Sequence, residues 1–360
     1  MNIKAKLKEK LSSMLFITLD NQRIKVLFNT EVDENIYMPI GTESLVEDIK
    51  NGKGNENISL GIFIEGMFSV LGIDDEFKHN NDYIKLIKSR PESIKYIKGK
   101  IAQNVKENNL EEAYILLNGL IKIEGNLENY NKLLTILDSL RVEDKAYNDE
   151  MKRVINISKN FKDYPEPYLL EAQIYREEKK YEASLFSISQ YLSLGGEETK
   201  EITDIKASLK RIVEYEEGKQ LIYDTPKQGL AKLLGLLDEM GDNPSIYYYI
   251  AVAYRNLENY EKAIYYLNES LNIDNSFPEV FNELGINYAA LKDYNNAISY
   301  LRKAFEVTGS IEICTNLIMC YLNNGDLKNA KTHKEIAKKL DPNDEVLLEI
   351  ESYLEKLKNN

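Results

Sequence analysis

The side chains that could do chemistry in this chain are few and poorly grouped. Asp74, Asp75 and Glu76 stand in a row, and neighbouring carboxylates are what hard cations require. Coming directly after the apolar segment Ile58 to Ile73, they read instead as a solvated loop. Gly52-Lys53-Gly54 resembles a phosphate-binding turn only superficially, because it lacks the spaced glycines and the Lys-Ser/Thr pair that cradle a phosphate between strand and helix. His79 has no second histidine or cysteine near it, and His333 is the only other histidine. Cys314 and Cys320 lie six residues apart, about 240° around a helix, so they neither pair nor share a metal and are expected as small buried apolar residues. No nucleophile and base are grouped. The expectation is a chain that is not an enzyme, with no catalytic residue, metal or cofactor.

Charge and hydropathy narrow the partners. With 46 basic and 59 acidic residues the net charge is −13, which argues against a nucleic-acid surface built from clustered Lys and Arg. The densest basic strip, Lys4, Lys6, Lys8 and Lys10, reads as a solvated helix face. The apolar run after it, Met14 to Ile17, is too short for a signal peptide. No stretch approaches the roughly 20 apolar residues of a membrane span. Ile58 to Ile73 carries Glu65 and three glycines and reads as a core helix. The absence of an export signal, with only two cysteines, points to a reducing cytoplasm.

The elements that organise the chain repeat between Pro244 and Pro342. Tyr254, Tyr288 and Tyr321 recur at steps of 34 and 33 residues; Ala263, Ala297 and Ala330 keep the same steps, as do Ser270, Ala304 and Ala337. That period belongs to a helical-pair repeat. Each unit reads as a helix, a short turn such as Leu257-Glu258-Asn259, and a second helix. Small residues stand where the two helices cross, Ala251 with Ala263 and Gly285 with Ala297, and large apolar residues such as Ile250, Leu267, Leu284 and Leu301 fill the seam. Ile318 replaces the small residue in the last unit, which predicts a wider or shifted crossing there.

On these residues the chain resembles the tetratricopeptide repeat family. The resemblance implies a mostly α fold, a right-handed α-solenoid of stacked helix-turn-helix repeats, here preceded by a small α+β module. Residues 1–90 form that module, with two short β-rich runs, Met14 to Leu19 and Arg23 to Phe28, expected as a hairpin about Asp20-Asn21-Gln22. A further extended piece is expected at Asn35 to Ile40, and helices at Glu43 to Lys50 and Ile58 to Leu71 around the Asn51 to Asn55 loop. Residues 91–241 read as degenerate helical pairs. Among them Tyr168, Tyr175, Tyr181 and Ser184 match Tyr247, Tyr254, Tyr260 and Ala263, Thr199 to Lys219 reads as a long polar helix, and Gln228 to Met240 as an apolar one. Residues 242–343 are three regular repeats, and residues 344–360 a capping helix with Val346, Leu347, Ile350 and Leu354 on its buried face.

In that family the first helices line a concave groove that takes an extended peptide or a helix of a partner. The resemblance carries the groove onto Tyr248, Val252 and Arg255, then Asn282, Glu283, Ile286 and Ala289, then Glu312, Thr315, Asn316 and Met319, all expected to point outward. Of the lysines, arginine and asparagines by which some members clamp a C-terminal carboxylate, only Asn316 is matched. The implied partner is a protein or peptide with an apolar or basic segment. The implied function is a non-catalytic interaction scaffold or adaptor; the alternative is a peptide-sensing signalling regulator that acts through residues 1–90.

Overall fold

A computed structural model describes residues 3–32, 35–41 and 59–358. The helix expected at Glu43 to Lys50 and the loop at Asn51 to Asn55, with its Gly52-Lys53-Gly54, lie outside the described residues. The chain divides into two compact units, Met1–Ile202 and Thr203–Asn360.

The first unit begins with α1 (Ile3–Ser12), β1 (Leu15–Leu19), α2 (Asn21–Phe28) and β2 (Ile36–Ile40). β1 pairs antiparallel with β2, Leu15 opposite Ile40 and Leu19 opposite Ile36. The expected hairpin is therefore corrected: Arg23 to Phe28 is helical, and the partner of β1 comes later. Ile24, Val26 and Phe28 alternate as a strand would, yet Val26 is 79% exposed while Ile24 and Phe28, one helical turn apart, are fully buried. The Asp20 carboxylate accepts the Arg23 N–H at 2.8 Å and starts the helix.

Helical pairs follow: α3 (Leu60–Ile73) and α4 (Asn80–Ser89), α5 (Glu92–Lys106) and α6 (Leu110–Ile121), α7 (Leu127–Glu143) and α8 (Asn148–Ser158), α9 (Glu166–Glu177) and α10 (Tyr181–Ser193). α3 meets α6 backbone to backbone. A Cβ at Gly72 would stand 2.0 Å from the Ile115 carbonyl oxygen, and one at Gly119 2.1 Å from that of Phe68. The Asn118 side-chain amide donates to the Gly72 carbonyl across this crossing at 2.5 Å. One apolar core runs from Ile3 to Ile174. Residue 90 thus marks a change of secondary structure within a continuous core.

Lys6 and Lys8 on α1 are exposed and Lys10 partly so, as a solvated face requires, and all three lie against acids of the same unit. Lys6 pairs with Glu111 at 2.5 Å, Lys8 lies 3.7 Å from Asp74, and Lys10 pairs with Glu112. Burial alone would raise the Glu111 carboxyl, but the bonds from Lys6 and Tyr147 hold it below its ordinary value.

The second unit begins within α11 (Lys200–Asp224) and continues through α12 (Pro226–Gly235), α13 (Leu237–Met240), α14 (Pro244–Asn256), α15 (Tyr260–Ile273), α16 (Pro278–Ala290), α17 (Tyr294–Thr308), α18 (Ile311–Asn323), α19 (Leu327–Leu340) and α20 (Glu345–Lys358). The single helix expected from Gln228 to Met240 is two, interrupted at Leu236 directly after Gly235, a poor helix former. Apolar clusters succeed one another along the chain, from Ile222 to Ala253, Ala251 to Leu284, and Ala297 to Leu354. Each pair buries its face on the next, as a repeat array requires. Ala251, Ala263, Ala297, Ala304 and Ala337 are all fully buried, and a Cβ at Gly285 would stand 2.4 Å from Leu301 Cγ. On α20, Leu347, Ile350 and Leu354 face inward as expected, whereas Val346 is exposed.

The turn between paired helices repeats more widely than any side chain does. The N–H of Asn259 donates to the Tyr254 carbonyl at 2.9 Å, and the same bond joins Asp293 to Tyr288 (2.9 Å) and Asp326 to Tyr321 (2.8 Å). It recurs in the first unit from Asn109 to Asn104 and Lys180 to Tyr175, both 2.8 Å. The residue just before each donor is left-handed: Asn108, Lys179, Glu258, Lys292 and Gly325, with φ of 60°, 58°, 59°, 63° and 78°. This bond closes a helix end by satisfying its free carbonyl. The pairs α5–α6 and α9–α10, degenerate in sequence, therefore turn as the regular repeats do. The described residues form an α-solenoid of stacked helical pairs preceded by a small α+β module.

Candidate partner-binding face

α14, α16 and α18 are the first helices of successive pairs, and each approaches the next. Their length and shared period place equivalent positions in register. Tyr248, Asn282 and Thr315 form one row, Val252, Ile286 and Met319 another, and Ser245, Glu279 and Glu312 a third. Which of these side chains reach the surface is decided by how closely neighbouring helices pack.

Three of the expected outward residues are inside. Val252, Glu283 and Thr315 are buried, with Glu283 only 6% exposed. Val252 belongs to the apolar cluster between α12 and α14, and Thr315 turns its hydroxyl onto the Glu312 carbonyl at 2.8 Å. Asn282, Ile286, Ala289 and Asn316 are half-buried, Glu312 is exposed, and Met319 is 43% exposed.

Glu283 draws the others together. The Nε of Arg255, on α14, lies 2.8 Å from Glu283 Oε2, on α16, so this ion pair ties one repeat to the next. Burial raises the Glu283 carboxyl above its ordinary value, Arg255 opposes this, and the negative charge of Glu312 adds to it. The net direction is upward, so one guanidinium does not offset the cost of burying this charge. Tyr248 stands beside the same group. Burial raises its phenol, with the charges of Glu283 and Glu279 reinforcing the shift. The Tyr248 ring contacts Phe277 at 5.3 Å and Tyr249 at 5.1 Å, and Tyr249 in turn meets Tyr215 at 6.0 Å. Lys219, itself paired with Glu216, lies over both Tyr215 and Tyr249.

The face thus combines a row of aromatic rings with three carboxylates and one guanidinium. Glu279 and the aromatic partners Phe277 and Tyr249 were not among the expected residues. Glu279 could have been found, since it stands 33 residues before Glu312 in the same repeat position. The burial of Glu283 had no such signal, because it depends on how near α14 comes to α16.

Elsewhere the two cysteines are buried and free, their thiols pushed up to about 11 by burial. His79 is buried against Tyr37, Phe77 and Tyr83, with Nδ1 3.1 Å from Asp82 Oδ2. Asp75 pairs with Lys122 at 2.5 Å and the Asp74 carboxylate accepts the Glu76 N–H, so the acidic run is a loop held by local partners. No helix among the described residues is long and apolar enough to cross a membrane.

Comparison with known proteins gives matches to two family models, both described as tetratricopeptide repeat, at residues 244–277 and 278–310. No curated protein matches the chain. Among solved structures, MamA protein aligns at 15% identity over 49% of this chain and 90% of its own, with a TM-score of 0.37. TTC0263, a thermophilic TPR protein in Thermus thermophilus, aligns at 19% identity over 53% and 99%, with a TM-score of 0.34. The first TPR of Spaghetti (RPAP3), bound to an HSP90 peptide, aligns at 18% identity over 32% and 94%, with a TM-score of 0.31.

Proposed function

We propose, from the premise that the chain is a tetratricopeptide repeat protein, that it is a non-catalytic interaction scaffold whose face of α14, α16 and α18 binds a segment of another protein. The observation that supports this reading is the retention of Glu312, Met319, Asn316 and part of Tyr248 at the surface of helices whose other faces are closed by stacking. Aromatic and thioether side chains offer large contact area at low entropy cost, which suits an apolar or basic segment. Free, buried thiols fit a reducing, cytoplasmic setting.

The test is affinity capture from an extract with the full chain, a face variant (Asn316→Lys with Met319→Lys) and a control variant, Tyr265→Lys, at a 58% exposed residue of α15. The reading requires a protein captured by the full chain and the control and lost from the face variant. Equal capture by all three would place the binding elsewhere.

A further inference from the structure

The face of the second unit carries more negative charge than its own cation can neutralise. Glu279, on the first turn of α16, and Glu312, on the first turn of α18, are exposed, and Glu283 lies buried near them with Arg255 as its ion-pair partner. Both Arg255 Nε and Glu283 Oε2 are shut off from solvent and neither completes a well-directed hydrogen bond, although they stand 2.8 Å apart. A carboxylate and a guanidinium that fit well form two parallel N–H···O bonds. Here the pair has the proximity of a salt bridge without that alignment. Asn282, on the same helix, also has a buried side-chain oxygen with no hydrogen-bond partner. Polar atoms left in this condition cost stability and mark a place where a donor is missing.

We propose that the face carrying Tyr248, Glu279, Glu283 and Glu312 takes the arginine or lysine of a basic partner segment, and that Arg255 occupies this place on Glu283 in the absence of the segment. Charge complementarity selects the partner: three carboxylates face one guanidinium, and Lys219 beside the aromatic row is neutralised by Glu216. The Tyr248 ring, next to Phe277 and Tyr249, supplies a surface over which a cation or its aliphatic stem can lie. An incoming guanidinium would supply the aligned donors that Glu283 lacks. Arg255, half-buried on α14, can turn toward solvent.

This rests on the binding face proposed above, and it fails separately from it. A random peptide library displayed on phage is selected against the full chain and, in parallel, against a variant carrying Glu279→Gln and Glu312→Gln. Both changes are at exposed positions, so folding is preserved. A control variant carries Glu261→Gln and Glu306→Gln, exposed carboxylates on the second helices α15 and α17, and so removes the same charge. The expected result is enrichment of clones rich in Arg and Lys by the full chain and the control, and their loss from the Glu279/Glu312 variant. The best clone should bind the face variant about tenfold more weakly. It should bind Arg255→Ala more tightly than wild type, because the internal competitor is gone. Enrichment of acidic or uncharged clones, equal enrichment by all three proteins, or weaker binding to Arg255→Ala overturns the proposal. If uncharged clones enrich and are lost from the Asn316→Lys, Met319→Lys protein, the binding face stands and only its charge preference falls.

Discussion

Arg255 on α14 lies 2.8 Å from Glu283 on α16, which makes a charged pair part of the seam between two consecutive repeats. Seams in such arrays are ordinarily closed by apolar and small residues, as Ala251, Leu267 and Leu284 do where α14, α15 and α16 meet. A charge at this place has consequences for stability that can be measured.

The Glu283 carboxyl is raised by burial in the folded chain, so folding takes up a proton there. The stability associated with that proton is fully present below the ordinary glutamate value, about 4.3, and is lost as pH rises through the raised value. Glu283→Gln stays neutral throughout and keeps its amide near Arg255. It is expected to melt above wild type at neutral pH, with the difference shrinking as pH falls toward 4, in thermal unfolding followed by circular dichroism. A variant that melts below wild type at every pH would show that the ion pair stabilises the seam.

Glu111 in the first unit has the opposite sign. Its carboxyl is lowered by Lys6 and Tyr147 despite partial burial, so its contribution is present above the ordinary value and lost as pH falls through the lowered one. Glu111→Gln is expected to destabilise the first unit at neutral pH and to match wild type in strong acid. High salt should reduce the neutral-pH difference, because the lysines on α1 are partly exposed. An undiminished difference at low pH would mean that packing of the side chain, and not its charge, holds α1.

The left-handed turn residues make a paired prediction. Glu258 and Lys292 hold φ near 60°, which a residue with a Cβ adopts at a cost, whereas the third repeat has Gly325 there. Glu258→Gly and Lys292→Gly should each stabilise the array by up to about 1 kcal/mol, and Gly325→Lys should destabilise it by a similar amount. Denaturant unfolding of the three proteins checks this; a loss of stability in both glycine variants contradicts it.

Gly285 should not tolerate even a methyl group. An added Cβ would stand 2.4 Å from Leu301 Cγ, and Leu301 is fully buried and cannot swing away. The roughly 1 kcal/mol gained in helix propensity is outweighed by overpacking of about 1–3 kcal/mol, so Gly285→Ala should lower the unfolding midpoint. A midpoint at or above that of wild type would show that the crossing between α16 and α17 can open.

Much of this fold could be read from the residues alone because Tyr254, Tyr288 and Tyr321 keep one period and their small-residue partners keep it too. What stayed hidden had physical reasons. Ile24, Val26 and Phe28 satisfy both a strand and a helix, and only the core beneath them chooses. Asn108 suits a left-handed turn but Lys179 does not, and the two share no residue type, so the turn that α5–α6 and α9–α10 share with the regular repeats is visible only in backbone geometry. At the candidate face the helix positions were legible and the exposure was not. Glu283 follows Asn282 directly, and the roughly 100° between them carries one side chain into the seam while leaving the other at its edge.

The central claim is that the face of α14, α16 and α18 holds the partner segment. Its most direct measurement is the dissociation constant of a captured segment for wild type, for the Asn316→Lys, Met319→Lys protein and for Tyr265→Lys, by isothermal titration. The account predicts at least about a tenfold weaker constant for the face variant and an unchanged one for the control. Equal constants for all three proteins would contradict it.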